Sequence, residues 1–71
     1  MSMVRDLSWQ AAQEMILSGQ VKSVTQAHSL QVTLTLKDGR VLHVVEPQID
    51  DVIRVVRQCG EACRDTAVAT E

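Results

Sequence analysis

Aromatic side chains are nearly missing from this chain of 71 residues: Trp9 is the single aromatic residue, and phenylalanine and tyrosine are absent. A hydrophobic core must therefore be built from aliphatic side chains, and there is no aromatic platform on which a nucleic-acid base would stack. The seven basic residues are scattered and are outnumbered by nine acidic ones, which leaves a net charge of −2. Because phosphate backbones are bound by clustered positive charge, we expect no nucleic-acid partner.

Long apolar runs are also missing. No stretch approaches the roughly 18 to 20 apolar residues of a transmembrane helix, and the start, MSMVRDLSWQ, lacks the apolar segment of a secretory signal. We therefore expect a cytoplasmic protein without a membrane partner. In that compartment the two cysteines are expected to be reduced rather than bridged.

The length of the chain allows one small domain, spanning residues 1–71. We expect an ordered core over about 8–63, with flexible ends at 1–6 and 65–71. A domain of this size buries only about 60% of the surface of its unfolded chain. Self-association, or a protein partner that covers one face, would add to its stability.

Alternating apolar and polar residues predict three strands, near 21–26, 30–37 and 40–46. The short segments between them are turns, so the strands should form an antiparallel meander. Val21 and Val24 are three residues apart and do not share one face of a regular strand. Either the first strand begins at Lys22, or a β-bulge turns Val21 inward.

The turn at Asp38-Gly39 sets the register between the second and third strands, and two forms are open. A two-residue type I′ loop places His43 opposite Leu34, whereas a three-residue loop with Gly39 in a bulge pairs Leu34 with Leu42. A histidine opposite a core leucine would be a buried polar group that needs a partner. We therefore favour the bulged register, which directs five residues to the outer face of the sheet: Thr33, Thr35, Val41, His43 and Val45.

Helix signals flank the meander. Ser8 is suited to cap a helix that continues through Ser18, and Gly19 is suited to end it. Pro47 ends the third strand and precedes a second helix, whose apolar stripe comprises Ile49, Val52, Ile53, Val56, Cys59 or Gly60, and Cys63. The predicted fold is α+β, a two-layer α-β-β-β-α arrangement with both helices on one face of the three-stranded antiparallel sheet.

Cys59 and Cys63 form the one constellation in this sequence that resembles a chemical site. Four residues apart on a helix, they share a face, but both also extend the apolar stripe, and free cysteine is among the most buried residue types. We interpret them as packing residues, with a metal site or a disulfide or redox pair as the alternatives. Two ligands are too few for a structural zinc site, which usually needs four.

No catalytic set is evident. His28 and His43 are interpreted as surface residues, since no serine or cysteine nucleophile lies at a definable geometry to either. We therefore expect no enzyme activity, no catalytic residue, no cofactor and no small-molecule substrate.

Valines on the outer face of so small a sheet indicate a contact surface. The predicted function is a non-enzymatic protein-interaction or self-assembly module that uses the five outer-face residues. The alternative is a thiol or metal-binding module that uses Cys59 and Cys63.

Three segments resemble a known family: residues 18–25 (SGQVKSVT), residues 34–39 (LTLKDG), and Pro47 with an acidic helix start and Gly60. They are similar to the small extracytoplasmic domain of membrane-anchored AAA proteases of the FtsH type, over residues 12–60. No flanking transmembrane helix, ATPase module or zinc-protease motif accompanies them here. The resemblance implies a small α+β scaffold that assembles or binds protein, with no catalytic residue; the layout is also similar to that of short stand-alone bacterial proteins.

Overall fold

A computed structural model describes residues 6–71. Of the flexible start predicted over 1–6, residues 1–5 lie outside the described part. The elements, in chain order, are β1 (Asp6–Leu7), α1 (Trp9–Leu17), β2 (Val21–Gln26), β3 (Gln31–Leu36), β4 (Val41–Val45), α2 (Asp51–Cys59), a 3-10 turn (Gly60–Cys63) and β5 (Ala67–Thr70). The fold is α+β, as the sequence predicts.

The five strands form one mixed sheet in the order β1-β4-β3-β2-β5. Its centre is the antiparallel meander β2-β3-β4, which confirms the three predicted strands. The edge strands run parallel to their neighbours, β1 beside β4 and β5 beside β2. The sequence predicts neither of these edge strands.

The end of the chain departs from expectation. No regular element is predicted over residues 65–71, whereas Ala67–Thr70 form β5, and the N–H of Glu71 donates to the carbonyl of Gln26 at 2.8 Å. Parallel partners are joined by a long crossover. Here β3, β4 and α2 lie between β2 and β5. The pairing of β5 with β2 is therefore not predicted by any local sequence pattern.

Both open questions of register are resolved in favour of a bulge. The pairing of β2 with β3 shifts between Val21 and Ser23, so that Val21 and Val24 are both buried. In the next pair, Leu34 lies opposite Leu42 and His43 lies opposite Thr33. The bulged register that we favour is therefore confirmed, and the histidine stays off the core face.

The β3–β4 turn is built around Gly39, whose φ of +95° is rarely adopted by residues with a side chain. The N–H of Gly39 donates to the carbonyl of Leu36 at 2.9 Å, and the N–H of Leu36 donates to the carbonyl of Arg40 at 2.8 Å. The N–H of Arg40 also donates to the carboxylate of Asp38 at 3.0 Å. This bond is the main reason why the pKa of Asp38 lies below its ordinary value of 3.8.

Helix α1 begins and ends as predicted. The Ser8 side chain accepts the N–H of Ala11 at 3.1 Å and caps the helix, and Gly19 follows its end with φ +81°. A Cβ atom at Gly19 would lie 3.0 Å from the carbonyl oxygen of Ala62. This glycine therefore also lets the 3-10 turn approach the end of α1.

Helix α2 begins at Asp51, four residues after Pro47. Its first turn is capped from the end of β4: a carboxylate oxygen of Glu46 accepts the N–H of Val52 at 2.9 Å. Asp50, with φ +73°, precedes the helix and is held by the Gln26 side chain. That side chain accepts the N–H of Asp50 at 2.7 Å and donates to its carboxylate at 3.0 Å. Two buried polar side chains thus fix where α2 starts.

The hydrophobic core is one cluster that joins both helices, the sheet and the 3-10 turn. Its buried members are Ala12, Ile16, Val21, Val24, Val32, Leu34, Leu36, Leu42, Val44, Val52, Val55 and Cys63. The predicted stripe of α2 is wrong at two positions: Val55 is buried but not predicted, and Ile49 is 44% exposed. Ile49 lies in the turn before α2, so helical spacing does not apply to it.

Candidate functional site

The register of the strands aligns small residues in two rows across four strands. Side chains alternate along a strand, so these rows lie on the face opposite Val24, Leu34 and Leu42, which are buried. The first row reads Ala67–Ser23–Thr35–Val41, and the second reads Ala69–Thr25–Thr33–His43. We call this surface, together with Val45, the outer face.

The five predicted interaction residues all lie on the outer face. Thr33, Thr35, Val41 and His43 are half-buried, and Val45 is 60% exposed. The rows contain no Lys, Arg, Asp or Glu across β5, β2, β3 and β4. On β1, the backbone of Asp6 pairs in register with His43. The geometry therefore gives a surface of small side chains with little charge across these four strands.

Four residues of the rows were not predicted: Ser23, Thr25, Ala67 and Ala69. The two on β2 depend on the bulge, which sets the phase of the whole strand. Once the bulge is placed, strand alternation would have assigned Ser23 and Thr25 to the outer face. The two alanines belong to β5, whose pairing is not visible in the sequence.

The structure joins Cys59 and Cys63 in a disulfide. The expectation that these cysteines are reduced is therefore wrong for this structure, and the disulfide alternative is the one that it contains. The helix tightens into a 3-10 turn at Gly60, which brings the two Cα atoms to 5.6 Å, a separation that a disulfide spans. The two cysteines also pack against the core, as predicted: Cys63 is buried and Cys59 is half-buried.

The disulfide lies against the end of α1. The Sγ atoms of Cys63 and Cys59 are 3.1 and 3.4 Å from the carbonyl oxygen of Ile16. That oxygen also accepts the N–H of Gly19 at 3.0 Å, in the turn that ends α1. The bridge therefore packs the end of α2 against the end of α1, and the segment that leads into β5 follows it directly.

Glu46 is a buried acid at the junction of β4 and α2. It is fully buried, and its second carboxylate oxygen, Oε2, has no hydrogen-bond partner in the part of the chain that the structure describes. Burial raises the pKa of Glu46, and the neighbouring Asp51 and Asp50 raise it further. The bond from the Val52 N–H acts in the opposite direction. This carboxyl is a structural cap whose charge is costly.

No metal cluster forms among residues 6–71. No group of three or more His, Cys, Asp or Glu in this range is arranged to hold a metal ion. His28 is exposed in the β2–β3 turn, and His43 lies on β4, on the outer face. A shallow depression of about 310 Å³ adjoins the β1–β4 edge and is lined by Leu7, Gln31, His43, Val44 and Val45.

The helices of the described residues are too short and too polar for any of them to span a membrane. No protein-family model matches the sequence, and the search of the curated proteins found no match.

Proposed function

We propose that this chain is a non-enzymatic protein-interaction module, and that the outer face is the surface on which it self-associates. The observation that carries the proposal is the pair of rows of small side chains, Ala67–Ser23–Thr35–Val41 and Ala69–Thr25–Thr33–His43. Two such surfaces can meet without like-charge repulsion over four strands. Small side chains also allow two sheets to pack about 10 Å apart.

This reading includes the helix placement expected from the sequence. We infer that both helices cover the face opposite the rows, because Ile16 of α1 and Val52 of α2 belong to one cluster with Leu34 and Leu42. The helices then complete a core on one side, and the other side of the sheet is left for a partner.

The size of the outer face predicts weak association. Four strands about 4.8 Å apart and about 16 Å long present roughly 300 Å² per copy. Stable interfaces usually bury about 800 Å² per partner. We therefore expect a concentration-dependent dimer, with twice the chain mass of 7.8 kDa, at micromolar concentrations or above.

Substitution of Thr35 by lysine tests the proposal, because this side chain is central to the first row and half-buried. A cation there adds one buried positive charge from each copy to a two-fold interface that otherwise carries little charge. We expect Thr35→Lys to lose the self-association that depends on the outer face, so that in sedimentation velocity it shows a lower average mass than the unsubstituted chain at the same concentration.

Gln58→Lys is the matched control, since it adds the same charge at an exposed position on α2. Its dimerisation should equal that of the unsubstituted chain. If the unsubstituted protein stays monomeric at millimolar concentration, or if Thr35→Lys dimerises as well as the control, the proposal is wrong. Circular dichroism of both variants establishes that each is folded.

The disulfide favours a second candidate, a thiol redox function for Cys59 and Cys63. A cellular dithiol would reduce the bridge with two electrons and two protons and would itself become a disulfide. In a cytoplasm, the location we propose from the sequence, such bridges are usually transient and redox-active. A reduction potential above about −300 mV would support this function, and a lower one would assign the bridge a structural role.

The resemblance to the extracytoplasmic domain of FtsH-type proteases remains a proposal about scaffold alone. It agrees with a module that assembles or binds protein, and it assigns no active-site residue to this chain.

A further inference from the structure

Strand β5 leaves one edge of the sheet open. It is the last strand in the order β1-β4-β3-β2-β5, and all four of its residues are exposed. Its sequence, Ala67-Val68-Ala69-Thr70, contains none of the devices that usually protect an edge, such as a lysine, a proline or a bulge. Val68, a β-branched apolar residue, is 42% exposed there.

The backbone groups that point away from β2 can be assigned. The N–H of Glu71 donates to the carbonyl of Gln26, so residue 71 points toward β2. Because successive residues of a strand point their N–H and C=O groups to opposite sides, Ala69 also points toward β2. Val68 and Thr70 therefore direct their N–H and C=O groups to the open edge.

From this arrangement we infer that β5 pairs with β5 of a second copy, antiparallel, about a two-fold axis through Ala69. In this register Val68 of one copy and Thr70 of the other exchange both backbone hydrogen bonds, and the same happens on the other side of the axis. Four hydrogen bonds form, and the two sheets become one continuous ten-stranded sheet. Ala69 also borders the outer face, but this contact uses the backbone groups at the edge of β5 and not the side chains of the rows, so the inference does not depend on the proposed function.

Charge and hydrogen-bond direction select this arrangement over its alternatives. Parallel pairing would bring the two Glu71 residues together, and like charges directly opposite are destabilising. An antiparallel register centred on Val68 would place Asp65 opposite Glu71. The register centred on Ala69 places Glu71 opposite Ala67, with no charged partner. A two-fold contact is also closed: it pairs the β5 edges of both copies and leaves neither free for a third chain.

Site-specific cross-linking tests the register. On the axis, the two Ala69 residues form a non-hydrogen-bonded pair with Cα atoms about 4.5 Å apart, which a disulfide spans. We expect Ala69→Cys to form a covalent dimer under mild oxidation, with a 69–69 linkage found by mass spectrometry. Ala67→Cys is the matched control, because its two copies would be about 13 Å apart along the strands, and it should not cross-link.

Two further variants separate the edge from the outer face. Val68→Pro in the Ala69→Cys background removes an outward N–H while leaving the bonds to β2, and it should abolish the 69–69 linkage. Thr35→Lys in the same background should leave the linkage in place. Val68→Lys, which blocks an edge through its side chain, repeats the test if the proline variant does not fold.

Three results would overturn the inference. They are equal cross-linking of Ala67→Cys and Ala69→Cys, persistence of the linkage in both Val68 variants, and loss of the linkage in Thr35→Lys. The last result would assign the contact to the outer face, so failure of the edge pairing is distinguishable from failure of the proposed function.

Discussion

At the scale of single residues, Glu46 predicts how stability depends on pH. Its folded-state pKa is raised above the ordinary 4.5, chiefly by burial. The folded state therefore holds the proton more tightly than the unfolded state. The stabilisation from protonated Glu46 is complete below the ordinary pKa and is lost as pH rises through the raised value. In Glu46→Gln this dependence should disappear, while the amide oxygen still accepts the N–H of Val52.

The measurement is the free energy of unfolding from urea titrations between pH 4 and neutrality. One proton contributes at most about 1.4 kcal/mol per pH unit to the slope, and Glu46→Gln should lack that component. Glu61→Gln is the control, because Glu61 is an exposed acid of the 3-10 turn; it should keep the slope of the unsubstituted chain. An unchanged slope in Glu46→Gln would show that Glu46 does not titrate differently on folding.

The burial of Glu46 is predictable from the sequence, whereas its role as a helix cap is not. The bulged register sends Leu42 and Val44 inward, and the same alternation continues to Glu46. An acid in that phase is detectable from the sequence once the register is chosen. Its role as the cap of α2 was not predictable, because it depends on where the chain turns after Pro47.

At the scale of elements, we expect two glycines to differ in how much stability the protein loses when each is replaced by alanine. Gly19 ends α1, and Gly39 lies in the β3–β4 turn. Gly39 and Gly19 both have positive φ, but an added Cβ meets nothing within 4 Å at Gly39 and lies 3.0 Å from the Ala62 carbonyl oxygen at Gly19. Gly39→Ala should cost about 1–2 kcal/mol, which is the backbone strain alone. Gly19→Ala should cost more, because the 3-10 turn must also move.

Chemical denaturation of the two variants measures this difference, and Gly39→Asn provides the control. Asparagine tolerates the left-handed region better than alanine, so it should recover part of the stability lost in Gly39→Ala. Equal losses in Gly19→Ala and Gly39→Ala would mean that the contact with Ala62 relaxes without cost.

The elements that the sequence predicts are those held by neighbours in the chain. The meander was predictable because strand alternation and the Asp38-Gly39 turn are local signals, and α1 because Ser8 and Gly19 mark its ends. β1 and β5 were not, since each pairs in parallel with a strand that is distant along the chain. The outer face was consequently predicted at its centre and missed at its β5 side.

At the scale of the whole molecule, the disulfide packs the end of α2 against the end of α1. From the sequence the disulfide is only an alternative, because both cysteines extend the apolar stripe of α2 and packing therefore explains them better than a bridge or a metal site. What separates them is the tightening of the helix at Gly60 and the approach of the bridge to the Ile16 carbonyl. Both arise from tertiary packing that no local pattern encodes.

Reduction of the Cys59–Cys63 disulfide should lower the stability of the entire fold. The bridge closes a five-residue loop from Cys59 to Cys63, for which loop-closure entropy gives a stabilisation of about 2 kcal/mol. In a domain of this size that corresponds to a fall in Tm of roughly 8–16 °C. Thermal unfolding with and without a dithiol reductant measures the shift, and Cys59→Ser/Cys63→Ser should unfold at one temperature under both conditions. Two titratable thiols in the folded, unreduced protein, with a Tm that the reductant does not change, would show that the cysteines contribute by packing alone.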